Sequence, residues 1–202
     1  MITLKGDQIV SGSYDNTVII WDAVTCEKIS ELKGHSDCVN SVAWNDGGSQ
    51  IASASDDKTV ILWDATKGEK ISELKGHTGG VNSVSWNPNE KDQIASGSGD
   101  KTVIIWDAGS GDQVSQLQGH TDAVRSVAWS SGAEGQLVSG SNDNTAIIWD
   151  AAAGQSVSTL QGHTSSVTSV AWSQEPGAGG QIVSGSSDST AIIWDPAAGQ
   201  RL

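Results

Sequence analysis

The sequence predicts an all-β protein made of four-stranded antiparallel sheets stacked face to face, about five to the chain with the first incomplete. Two periodic markers point to it. Among 202 residues, Trp-Asp recurs at Trp21, Trp63, Trp106, Trp149 and Trp194, at intervals of 42, 43, 43 and 45 residues. Gly-His recurs at His35, His77, His120 and His163, which stand 28, 29, 29 and 31 residues before the next Trp-Asp tryptophan. Two markers that keep step over periods of this length are the signature of a repeat architecture.

Within each period three strand-like segments precede the Trp-Asp and one follows it. In the third copy, Val81 to Trp86 alternates apolar and small polar residues. Gln93 to Ser98 is a short strand, Thr102 to Trp106 is rich in β-branched residues, and Gln113 to Leu117 is the fourth. The third of these is apolar on both faces, with Val103 and Ile105 pointing one way and Ile104 and Trp106 the other, so each sheet has to be covered on both sides. The fourth strand carries charge in the early copies (Glu27, Lys28, Glu31 and Lys33), as an edge facing water does. Small sheets stacked with a polar outer edge are the blades of a β-propeller. The blades are bounded at about 1–33, 34–75, 76–118, 119–161 and 162–202 of one domain.

All the variation in period lies in the loop between the first and second strands, which holds 5, 6, 6 and 8 residues after Trp44, Trp86, Trp129 and Trp172. The longest, running from Gln174 to Gly180, reads as a tolerated flexible loop. Lys plus Arg total 11 against 24 Asp plus Glu, a formal charge of −13, which argues against a nucleic-acid partner. Apolar runs such as Val18 to Trp21 are far too short to cross a membrane, and no basic-then-apolar leader follows Met1.

The segments Gly-His, Val-x-Ser-Val-Ala-Trp and Ser-Gly-Ser-x-Asp-x-Thr-Val-x-x-Trp-Asp resemble WD40 repeats, and they cover essentially the whole chain. In one respect the chain departs from that family. The position two before the Trp-Asp tryptophan, commonly Arg or Lys, is Ile19, Ile61, Ile104, Ile147 and Ile192, so packing between blades is expected to be more apolar.

Each full repeat holds a His, Ser, Asp and Trp at fixed offsets: His35, Ser53, Asp57 and Trp63; His77, Ser96, Asp100 and Trp106; His120, Ser139, Asp143 and Trp149; His163, Ser184, Asp188 and Trp194. The same residue types build hydrolytic triads. Four equivalent copies, however, argue for structure over a single catalytic site, which needs one exposed nucleophile beside one oxyanion hole. The Asp opens a tight Asp-x-Thr turn and can accept the His ring proton. The imidazole then bridges to the Ser, and the Ser to the indole N–H. The resemblance implies the same tetrad. No enzyme activity, cofactor or metal is expected, since none of the His has a second ligand at zinc spacing. The strand-ending Trp44, Trp86, Trp129 and Trp172 are read as core aromatics between blades. Cys26 and Cys38 flank one strand, beyond disulfide reach, and as free thiols they fit a cytoplasmic setting.

The first copy keeps Ser11, Asp15 and Trp21 but lacks the Gly-His. The C-terminal Ala198 to Leu202 matches the first half of the outer strand Gln155 to Leu160 and its lead-in, and Ile2 to Gly6 matches the second half. Three readings stay open: the termini share one strand in a closed five-blade ring, a second chain completes the array, or Ile2 to Leu4 forms a short innermost strand of the first blade. WD40 rings usually close with six to eight blades. At seven, each blade takes about 51°, so five cover about 257° and leave two bare apolar faces. Completion by another chain, as a homo-oligomer or otherwise, is therefore expected.

The resemblance implies a non-catalytic scaffold that binds a protein or peptide on the face bearing the His and Asp loops. The exposed positions it points to are Tyr14, Asp56, Gly99, Asn142 and Ser187 before the turn Asp, and the pairs Cys38 with Asn40, Gly80 with Asn82, Ala123 with Arg125, and Ser166 with Thr168. Tyr14 and Arg125 are the residues of hot-spot type among them. The acidic charge favours a basic partner. The alternatives are a self-assembling or fragmentary propeller without a dedicated ligand and, remotely, a Ser-His-Asp hydrolase.

Overall fold

A computed structural model describes residues 2–90, 92–132, 135–173 and 180–202. Most of the long loop singled out above, Gln174 to Gly179, lies outside the described residues. The described chain is all strand and turn, in five four-stranded antiparallel sheets, each in sequence order. Blade 1 contains β1 (Ile2–Lys5), β2 (Gln8–Gly12), β3 (Thr17–Asp22) and β4 (Lys28–Lys33). Blade 2 contains β5 (Val39–Trp44), β6 (Gln50–Ser55), β7 (Thr59–Asp64) and β8 (Glu69–Lys75). Blade 3 contains β9 (Val81–Trp86), β10 (Gln93–Ser98), β11 (Thr102–Asp107) and β12 (Gln113–Gln118). Blade 4 contains β13 (Val124–Trp129), β14 (Gln136–Ser141), β15 (Ala146–Asp150) and β16 (Gln155–Leu160). Blade 5 contains β17 (Val167–Trp172), β18 (Ile182–Ser186), β19 (Ala191–Asp195) and β20 (Gln200–Arg201). The inner strands β1, β5, β9, β13 and β17 are neighbours in that order.

Turn chemistry sets the hairpins. Between β6 and β7, Asp57 Oδ1 accepts the Thr59 amide at 3.0 Å and the Thr59 hydroxyl at 2.7 Å, and Lys58 takes a left-handed φ of 71°. Asn16, Lys101, Asn144 and Ser189 hold the same conformation at the matching place of the other blades. The Asp of each Trp-Asp caps the next turn; Asp22 Oδ1 accepts the Val24 and Thr25 amides at 2.8 Å each.

Blades pack back to front. Val138, Ala146, Ile148 and Leu160 on the back of blade 4 meet Val167, Val170, Trp172, Ile182, Ile192 and Trp194 on the front of blade 5. The other three junctions repeat these residue types. Ile61, Ile104, Ile147 and Ile192 are buried in these junctions, so their place is apolar as the sequence predicts. Close approach is made possible by a glycine at three of the four junctions, Ala54 holding the place in the fourth: a Cβ on Gly12, Gly97 or Gly140 would lie 2.6, 2.6 or 2.7 Å from a valine methyl of the next blade. Polar contacts add register. The Val84, Val127 and Val170 amides donate to Ser41, Ser83 and Ser126 Oγ of the preceding blade at 3.3, 3.1 and 3.2 Å. Trp86 and Trp129 Nε1 donate to the Ala43 and Ser85 carbonyls at 3.1 Å each.

Between a strand shared by the two termini and a short innermost strand, the structure takes the second, and completion by another chain stays open beside it. β1 pairs with β2 through a tight turn at Gly6 and Asp7, with Leu4 opposite Ile9 as Trp44 is opposite Ile51. It is an imperfect substitute: Trp44 Nε1 and Thr3 Oγ1 are buried without hydrogen-bond partners among the described residues. The described blades form an open arc with two bare ends. On the front of blade 1, Ile2 and Leu4 are 70% and 64% exposed, and on the back of blade 5, Val183 and Ile193 are 41% and 49% exposed. Along β19 exposed and buried residues alternate, the mark of a sheet covered on one face, whereas Thr59 to Trp63 of β7 are buried throughout.

Candidate functional site

Two constellations compete for function: the buried polar quartets and the loop face above them. In blade 2, His35 Nδ1 lies 2.7 Å from Asp57 Oδ2 and its Nε2 lies 2.7 Å from Ser53 Oγ, which also accepts Trp63 Nε1–H at 2.8 Å. Blade 3 joins His77, Asp100, Ser96 and Trp106 over 2.8, 2.8 and 2.7 Å. Blade 4 joins His120, Asp143, Ser139 and Trp149 over 2.8, 2.7 and 2.7 Å. Blade 5 joins His163, Asp188, Ser184 and Trp194 over 2.8 Å throughout. Blade 1, without a His, keeps the Trp21 to Ser11 bond at 2.8 Å.

The chemistry of a quartet follows from donor and acceptor arithmetic. A carboxylate only accepts and an indole only donates, so the Nδ1–H tautomer donates to Asp, and the serine hydroxyl donates to Nε2 while accepting from Trp. Every group is then satisfied. Burial pushes His77 and His120 below their ordinary value despite the carboxylates beside them, keeping the rings neutral. Burial acts against ionised Asp100, but the Thr102 hydroxyl, the Thr78 amide and His77 outweigh it and hold the carboxyl at about 2. Asp188 is likewise lowered, chiefly by the Thr190 hydroxyl, and Asp57 and Asp143 are lowered against the pull of burial by Thr59 and Thr145. Ser53, Ser96, Ser139 and Ser184 have no accessible surface. In each, Oγ is held between ring and indole, an arrangement that leaves no approach for a substrate carbonyl.

On the loop face the starts of the inner strands meet the Asp-x-Thr turns. Amides of Asp56, Gly99, Asn142 and Ser187 donate to the carbonyls of Cys38, Gly80, Ala123 and Ser166 at 3.0, 2.8, 2.9 and 2.9 Å, so each pair of positions forms one local rim. The rim residues do different things. Asn40 Nδ2 reaches Asp56 Oδ1 at 2.7 Å and Val81 O of the next blade at 3.1 Å, and Asn82 Nδ2 reaches Val124 O at 2.8 Å. These two are ties between blades, which spacing in the sequence does not reveal. Arg125 Nε donates to Asn142 Oδ1 at 2.9 Å, and Thr168 Oγ1 donates to Gly185 O at 3.3 Å. Tyr14 is 81% exposed, and the Cys38 thiol reaches its carbonyl at 3.7 Å. Asp37, Cys38 and Asp56 gather beside it, their side-chain ligand atoms within 4.8 Å of one another. Cys26 and Cys38 are free thiols, and burial raises the Cys38 thiol above its ordinary value. A separate hollow of about 490 Å³ follows the inner strands, lined by Thr3, Lys5, Trp44, Trp86, Ser126 and Ser169.

A family model described as WD domain, G-beta repeat matches residues 3–22, 26–64, 68–107, 111–150 and 154–195. Over 42 residues, 21% of this chain, the sequence is 38% identical to the WD repeat-containing protein srw1 of Schizosaccharomyces pombe, a stretch that is 8% of that protein. Over 44 residues, 22% of this chain, it is 41% identical to meiotic fizzy-related protein 1 of the same organism, a stretch that is 10% of that protein. The matched stretches thus span about one repeat and a tenth or less of each relative.

Proposed function

Because the chain belongs to the WD40 repeat family, we propose that it is a non-catalytic scaffold that binds a basic protein or peptide on its loop face. WD40 repeats are typical of protein-interaction scaffolds. The observation that carries the reading is Tyr14, 81% exposed on the same rim as the carboxylates of Asp37 and Asp56. An exposed aromatic face with carboxylates nearby suits a lysine or arginine side chain, by cation–π attraction and ion pairing. Arg125, tied to Asn142, is a second anchor point on this face.

Panning a random peptide library against the protein tests the proposal. Selected peptides are expected to be basic, and their binding to fall at least tenfold in Tyr14→Ala and in Asp56→Lys and to weaken with salt. Neutral peptides whose binding ignores both substitutions would contradict it.

A second reading, favoured by the two bare end faces, is that another chain completes the array, with the loop face whole only in the assembly. A hydrolase reading is disfavoured by the buried, doubly engaged serine hydroxyls. A fluorophosphonate probe is expected to leave all four serines unlabelled.

A further inference from the structure

We infer that the chain self-associates head to tail, the front of blade 1 in one copy seating on the back of blade 5 in another. The inference rests on the reading that another chain completes the array, and it names the partner and the contact.

The tail is a built seat. Val138 and Ile148 on the back of blade 4 are fully buried under the next blade, while their counterparts Val183 and Ile193 on blade 5 are half exposed around an apolar hollow of about 190 Å³. Gly185 stands where Gly12, Gly97 and Gly140 admit the next blade's valines, yet a Cβ there would meet nothing nearer than Ser169 Cβ at 4.0 Å. Ser169 stands where Ser41, Ser83 and Ser126 accept the next inner strand's amide. It is exposed, and among the described residues its hydroxyl receives no such bond. Apolar seat, glycine recess and hydroxyl acceptor recur together at a face that none of the described residues covers.

The head has the residues that fill such seats. By register with β2, Ile2 stands at the place of Val42 and Leu4 at the place of Trp44, and Ile9, Ile19 and Trp21 stand at those of Ile51, Ile61 and Trp63. The equivalent fronts of the other blades are already used within the chain, so the head of another copy is the matching surface always at hand. The Val42-type position is one that contacts the glycine recess: its methyl groups lie 3.1, 2.9 and 2.9 Å from the Cβ positions built at Gly12, Gly97 and Gly140. The contact is heterologous, so each pairing leaves one head and one tail free, to close on each other or to extend the chain of copies.

Sedimentation of the 202-residue chain across the micromolar range tests this, with Leu4→Asp disabling the head and Ile193→Asp the tail. Both residues are exposed in the single chain, and Ile2→Asp and Val183→Asp repeat the test at separate points. The expected result is a wild type that associates with rising concentration, two variants that stay monomeric alone, and a one-to-one dimer with nothing larger when the variants are mixed. A wild type that stays monomeric overturns the inference and leaves only a different chain to complete the array. Association that survives in either variant overturns head-to-tail contact while leaving completion by another chain standing.

Discussion

Gly140 and Val167 meet across the junction of blades 4 and 5 so closely that a Cβ on Gly140 would sit 2.7 Å from the Val167 Cγ1 methyl. Ala54 holds the corresponding place in blade 2, so the junction can yield at some cost. Gly140→Ala is therefore expected to destabilise by about 1 kcal/mol, the low end of overpacking. Gly185→Ala, with open space above it, is expected within about 0.5 kcal/mol of wild type in dilute solution. Urea midpoints of the two variants check the difference.

Removing a quartet hydroxyl orphans two buried donors and acceptors at once. Ser139→Ala leaves Trp149 Nε1 and His120 Nε2 without partners, an expected loss of about 2–4 kcal/mol. Ser11→Ala orphans only the partly buried Trp21 Nε1, for about 1 kcal/mol. Equal losses in the two variants would contradict the quartet's role as a coupled support.

Acid is expected to unfold the protein in two stages of the same sign. His77 and His120 are held below the ordinary 6.5, so the unfolded chain binds their protons more readily and stability present above pH 6.5 is lost as pH falls below it. Asp100, at about 2 against an ordinary 3.8, contributes stability that is present above pH 3.8 and lost as pH falls toward 2. Melting temperature against pH should be flat above neutrality and fall through both windows. His120→Gln is expected to flatten part of the first.

Lys58 and Lys101 occupy left-handed turn positions, φ 71° and 73°, which Asn fills at 16 and 144. Lys101→Asn is expected to stabilise by about 0.5 kcal/mol, since Asn tolerates that conformation better. Thermal melts of the single variant measure it.

The fold was legible in the sequence because it is written five times over: Trp-Asp and Gly-His fix the period, and the β-branched Thr-Val-Ile-Ile-Trp strand demands cover on both faces. Quartet membership has the same source, since the offset of ten residues between Ser53 and Trp63 sets them on paired strands of one hairpin. The first strand was less legible. Ile2 to Lys5 matches an outer strand by composition, and only pairing with β2 makes it an inner one. Asn40 and Asn82 read as free rim residues because a bond to the next blade, 41 or 42 residues away, leaves no local trace. The same holds for Gly185, whose open recess depends on what is absent from the face above it.

Hydrogen exchange at the tryptophan indoles, followed by NMR, tests most directly that the polar quartets are buried supports of stacked blades. Trp63, Trp106, Trp149 and Trp194, all at most 2% exposed, should exchange only with global unfolding, and half-buried Trp21 sooner. Rapid exchange at those four indoles in the folded protein would contradict the account.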